Sequence, residues 1–205
     1  MQKLIKQFLF HNYRGIFLGD NSTPECVIPV HNPPLREKLF FFVSGLLVSV
    51  PFALFLSQFY DFLPLLVSSA LIAPFIEELA KVFPLFYRHG ETEHSIVTLG
   101  ILVGLGFGLT EFFLYTVLLG VSPFVRLSGI IFHASSAGIT AYGIAKKKPL
   151  LFYLIASGLH VLNNFVAIAD VNFFFAILVQ IVVLILAYYL AVTLYRKASK
   201  TKMIF

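Results

Sequence analysis

Cysteine occurs once, at Cys26, so no disulfide can close within the chain and no cysteine-based metal site can be assembled. Charge is scarce too: 12% of the residues are Asp, Glu, Lys or Arg, where a soluble domain carries about 25%. There is no Gly-rich phosphate loop, no Gly-x-Ser-x-Gly elbow and no His-Glu-x-x-His pair, which removes support for nucleotide use, serine hydrolysis and ordinary zincin chemistry. The hydrophobic runs do not alternate with polar residues, which speaks against a β-barrel. Neither an internal repeat nor a low-complexity tract divides the chain.

What is present is hydrocarbon. Hydrophobic residues make up 59% of the 205 positions, and apolar stretches of more than 20 residues recur along the chain. That pattern predicts an all-α, polytopic transmembrane helical bundle of about six spans, placed at residues 39–60, 62–87, 95–119, 123–145, 149–169 and 173–195. Residues 1–38 read as a cytoplasmic amphipathic segment, lying in the membrane interface, followed by a Pro-rich linker; 39–195 form the membrane domain and 196–205 a basic tail. Thirteen of the fifteen Lys and Arg residues fall on one side of this six-span scheme, which predicts an integral protein of the cell membrane with both termini cytoplasmic. The same distribution argues against nucleic acid as a partner, because the net charge of +5 sits in loops between apolar spans.

Ionisable residues inside the spans are the exception to this composition. Each costs about 2.5–3.5 kcal/mol at the depth of a bilayer, so it calls for a partner, water or a function. Glu77, Glu78 and Lys81 lie on the second span, Glu111 on the third, His133 on the fourth, and His160 with Asn163 and Asn164 on the fifth. At about 1.5 Å per residue, Glu77, Glu111, His133 and His160 fall within roughly 6 Å of the midplane. Pro74, one turn before Glu77, removes a backbone hydrogen bond and should kink the second span. Gly100, Gly104 and Gly108 recur every four residues on the third span, a face that lets a neighbouring helix approach closely and makes this span central.

Two nearby carboxylates in low dielectric do not both ionise comfortably, so one can hold a proton while the other acts as base; a histidine can share proton transfer or hold a metal. Lys81, four residues after Glu77 and on its face, favours Glu77 as the ionised base, with Glu78 orienting the water or carrying the shared proton. A metal held by Glu111, His133 and His160 would be a divalent ion, with ligand softness favouring zinc over magnesium.

The ordered motifs Glu77-Glu78-Leu79-Ala80-Lys81, Gly104-Leu105-Gly106-Phe107-Gly108-Leu109-Thr110-Glu111, Phe132-His133 followed by small residues, and His160-Val161-Leu162-Asn163-Asn164 resemble those of the PrsW family. These are intramembrane proteases in the superfamily of CAAX prenyl endopeptidases and bacteriocin-processing enzymes. The resemblance covers residues 71–166 and implies cleavage of a membrane-embedded or membrane-anchored protein within the lipid bilayer, with a glutamate activating water; a catalytic metal has been proposed for such proteins. It implies catalytic roles for Glu77, Glu78, Lys81, Glu111, His133 and His160, and for the asparagine of the last motif, which helical spacing places at Asn164. The prenyl-endopeptidase branch has Glu-Glu-x-x-x-Arg and a histidine four residues after the second-motif phenylalanine; Lys81 and Glu111 stand here instead, which favours the PrsW side. Two other classes share the pattern: a proton- or cation-coupled transporter, and a non-catalytic membrane scaffold that retains a protease-like site.

Overall fold

The computed structural model describes residues 32–87 and 91–204. The amphipathic reading of residues 1–20 lies outside them. Among the described residues there are six helices and no strand: α1 (Leu35–Ser57), α2 (residues 66–87), α3 (Glu93–Leu118), α4 (Pro123–Ala145), α5 (Pro149–Ile168) and α6 (Phe173–Lys197). Four of them, α1, α3, α5 and α6, are long and apolar enough to cross a membrane. The other two carry the polar load: α2 holds Glu77, Glu78 and Lys81, and α4 holds Arg126, His133, Ser135, Ser136 and Thr140. Polar residues at such depth face the interior of a bundle, so the low apolarity of α2 and α4 follows from what they contribute there.

The helix bounds differ from the sequence expectation at two ends. α1 begins at Leu35, which draws Arg36 and Lys38 out of the expected linker and into the helix. Residues 198–204 are not a free tail but run back along the start of α3. Glu93 N–H donates to the Lys202 carbonyl at 3.0 Å, His94 N–H to that of Ser199 at 3.0 Å, and Ile204 N–H to that of Glu91 at 2.7 Å. The reason is the buried Glu93 carboxylate, which gathers the Lys146 ammonium at 2.5 Å, the Ser199 amide at 3.0 Å and Lys202 at 3.2 Å. Thr92 caps the same helix end, its hydroxyl accepting from the Ser95 amide at 3.2 Å.

α3 sits at the centre and packs most extensively on α4, with α1 on its other side; α5 and α6 close against α4. Glycine permits this. A Cβ at Gly100 would strike Ala141, one at Gly104 the His133 carbonyl, and one at Gly108 the backbone of Ile130, so the three glycines form the groove that receives α4. Gly106 and Gly45 do the same for the crossing with α1, where each would collide with the partner's backbone. Between these contacts Leu99, Val103 and Phe107 are buried, while Leu35, Phe124, Phe173, Phe174 and Leu178 point outward, as a lipid-facing surface requires. Gly120, with φ of 68°, makes the turn from α3 to α4.

α2 changes its winding where the sequence places proline. Leu66–Ile72 is a widened π-type stretch and Ala73–Val82 is α-helical, with Pro74 in its first turn. In a π-type turn the amide of residue 74 would bond to the carbonyl of residue 69, and a proline has no amide to give. Asn164 of α5 supplies the missing donor: its Nδ2 donates to the Ser69 carbonyl at 3.2 Å. A second bond from α5, Tyr153 Oη–H to the Phe75 carbonyl at 2.9 Å, holds the same region.

Candidate active site

Four helices meet at α2's single turn of charge. Lys81 and Glu78 are fully buried and three residues apart, so they share a face of α2, and the Lys81 ammonium donates to Glu78 Oε1 at 2.6 Å. This differs from the sequence expectation, which paired Lys81 with Glu77. Across a helix, residues three apart are as close as residues four apart, and here the rotation of α2 turns Glu78 and Lys81 inward together.

Lys81 continues the network to α4, with Nζ 2.7 Å from His133 Nδ1 and 3.4 Å from Ser136 Oγ. A lysine ammonium has donors only, so Nδ1 accepts, and the remaining ring proton sits on Nε2. Nε2–H then donates to Glu111 Oε2 on α3 at 2.6 Å, and Arg126 Nη2 donates to the same oxygen at 3.3 Å. His160 on α5 closes the other end: Nδ1 lies 2.9 Å from Glu78 Oε1, a carboxylate that can only accept, so Nδ1 carries the proton. Its Nε2 therefore keeps a lone pair, and it faces Glu77 Oε2 at 3.6 Å.

The walls are aromatic. Phe107 lies beneath the Lys81 ammonium, 4.9 Å from Nζ to the ring centroid, and Phe132 packs edge-on against His160 with centroids 5.1 Å apart. Such walls exclude water and strengthen the hydrogen bonds they enclose.

Glu77 and Glu78, adjacent in sequence, are thus held differently. Oε1 of Glu78 is taken by both Lys81 and His160. Glu77 Oε2 is buried without a hydrogen-bond partner, beside the free lone pair of His160. Two acceptors 3.6 Å apart with nothing to donate between them are a place for a water molecule, whose two O–H groups suit them, or for a cation.

Of the residues singled out from the sequence, Glu77, Glu78, Lys81, Glu111, His133 and His160 converge in this one network. Asn164 does not touch it by a hydrogen bond; it holds the Ser69 carbonyl. Arg126, which stands near the start of α4 in the sequence, has its partner Glu111 15 positions away, so the pairing follows only from the turn at Gly120. Ser136, among the small residues that follow His133 in the sequence, also meets Lys81 through its hydroxyl.

Glu77, His133 and His160 each offer a ligand atom within 4.8 Å of the others. This differs from the expected Glu111, His133 and His160, because Glu111 is spent on the far nitrogen of His133. An N,N,O donor set suits zinc, and Glu77 Oε2 and His160 Nε2 are free to ligate. His133 would join by releasing Glu111 or Lys81. The residues present therefore fit a divalent metal.

A family model described as PrsW family intramembrane metalloprotease matches residues 33–192, which extends well beyond the motifs on both sides. No curated protein and no solved structure matches the chain.

Proposed function

We propose that this chain, which belongs to the PrsW family of intramembrane metalloproteases, hydrolyses a peptide bond of a membrane-embedded or membrane-anchored protein, with Glu77 as the general base. The observation that carries the assignment is the unpartnered, buried Glu77 Oε2 facing the unprotonated Nε2 of His160. A water between them donates one hydrogen to each, so its oxygen lone pairs point away toward a carbonyl carbon. Glu77 takes a proton as the oxygen attacks. The tetrahedral intermediate then collapses with cleavage of the C–N bond, and Glu77–H returns the proton to the departing amine nitrogen.

The rest of the network serves this pair. Glu78 fixes the His160 tautomer by accepting from Nδ1, and Lys81 fixes Glu78. Through His133, Lys81 also sets Glu111, and Asn164 keeps α2 registered against α5. A divalent metal held by Glu77 Oε2 and His160 Nε2, with His133, would occupy the place of that water instead; it would supply Lewis acidity, polarising the scissile carbonyl and making water a stronger acid, and would leave the second oxygen of Glu77 as the base. The six-span topology, with both termini and the Lys146, Lys147 and Lys148 connection in the cytoplasm, remains our reading of the membrane arrangement.

The test is a pair of nearly isosteric variants, Glu77→Gln and Glu78→Gln, assayed in liposomes on a library of single-span peptides. Glu77→Gln should lose on the order of a hundredfold or more in kcat, and Glu78→Gln less. Wild-type turnover in Glu77→Gln would reject Glu77 as base, and full turnover in both would place the chain among non-catalytic scaffolds.

A further inference from the structure

A cavity of about 370 Å³ opens between α4, α5 and α6, at the end of the bundle away from the Lys146, Lys147 and Lys148 turn. It shares its wall with the glutamate–histidine network. Arg126 lines the cavity and donates to Glu111, and Phe132 lines it while its ring packs on both His133 and His160. The other polar lining comes from Ser128, Asn163, Asn164 and Gln180.

Gln180 has no role in the fold that the structure reveals. It is the one polar residue in the apolar run from Phe173 to Ala187 of α6, where a carboxamide is costly. Its side chain has no hydrogen-bond partner among the described residues. Asn163 makes only one long bond, Nδ2 to Asn164 Oδ1 at 3.4 Å. Gln180 and Asn163 thus bring unused hydrogen-bonding capacity to one space beside the active centre.

We propose that this cavity is the subsite for the unwound main chain of the substrate next to the scissile bond, with Gln180 as its principal backbone-reading residue. The proposal rests on the protease reading above and adds to it the conformation that the substrate must adopt. A peptide bond inside a helix is shielded by its own turn, so cleavage needs local unwinding, and each amide and carbonyl freed in a membrane must find a partner. A carboxamide carries one acceptor and an NH₂ donor side by side, as the peptide unit requires, and Asn163 adds a second carboxamide on the same wall. A helix with side chains is about 10–12 Å across. The cavity admits a short extended stretch rather than a whole helix.

The experiment uses two synthetic single-span peptides in nanodiscs, identical except that one carries a Gly-Gly pair at the midplane to favour unwinding. Their binding to the full chain bearing Glu77→Gln is measured by fluorescence anisotropy, so that turnover plays no part. The Gly-Gly peptide should bind on the order of tenfold more tightly than its parent, and adding Gln180→Leu should abolish that preference while leaving parent binding and the thermal midpoint unchanged. In the catalytically competent chain, Gln180→Leu should raise KM for the Gly-Gly peptide about tenfold with little change in kcat. Equal binding of the two peptides, or a preference that survives Gln180→Leu, would overturn the subsite. A Gln180-dependent preference without cleavage by the unmodified chain would retain the subsite and instead defeat the protease reading.

Discussion

Glu78 and Lys81 illustrate how one residue's role depends on its neighbour's charge. Both are fully buried, and removing one partner of such a pair leaves the other uncompensated, at a cost of about 3–5 kcal/mol. Lys81→Met should therefore lower the thermal midpoint sharply in detergent, and a second change, Glu78→Gln, should recover much of that loss because the amide still accepts from His160 without a charge. Activity should stay low in the double variant, since Lys81 also holds His133. A double variant no more stable than Lys81→Met would contradict the ion-pair account. The metal question also belongs to single residues. Glu77→Gln should reduce zinc retained after purification, as should His160→Ala, while Glu111→Gln should not, because Glu111 occupies the outer nitrogen of His133 rather than the Glu77–His160 gap. Metal lost on Glu111→Gln and kept on Glu77→Gln would restore the ligand set expected from the sequence.

At the scale of elements, the site depends on how closely α3 and α4 approach. His133 reaches Lys81 because its own carbonyl lies against Gly104, with no side chain between the helices. Gly104→Val would force them apart or strain them, a change that costs about 1–3 kcal/mol in a well-packed interior. The expected outcome is loss of both stability and activity, whereas Gly158→Ala, where an added methyl meets open space, should affect neither. Unchanged activity in Gly104→Val would show that the close approach is dispensable. The α2–α5 contact is the other such dependence. The widened turn before Pro74 leaves the Ser69 carbonyl to Asn164, so Asn164→Ala should loosen α2 while Pro74→Ala, which restores the amide, should partly offset it in the double variant.

For the whole molecule, the expected arrangement is six crossings with the Lys146, Lys147 and Lys148 turn in the cytoplasm. A reporter fused after Lys148 should appear inside, and one inserted at Asp170, between α5 and α6, outside. A reporter after Lys148 that appeared outside would overturn the orientation and, with it, the leaflet into which the proposed subsite opens. The segment 198–204 along α3 is also a whole-molecule feature, because Glu93 joins α3, the α4–α5 turn and residues 199–202. It ties the last residues to the central helix.

The apolar runs and their punctuation pointed by themselves to a helical membrane protein, and the spacing of its few ionisable residues within those runs pointed to their meeting at one level of the bundle, where the structure joins them in one network. Those are consequences of one-dimensional quantities: run length, composition and rise per residue. Helix spacing could also say that Lys81 shares a face with Glu77 and with Glu78, but not which of them it meets. That choice was made by the rotation of α2 about its axis, set by the Pro74 winding change and by bonds from Asn164 and Tyr153. Likewise, the pairing of Arg126 with Glu111, the division of His133 between Lys81 and Glu111, and the free lone pair of His160 are products of azimuth and tautomer. Neither can be read from depth, because residues at one level of a bundle meet only if their helices turn the right faces inward.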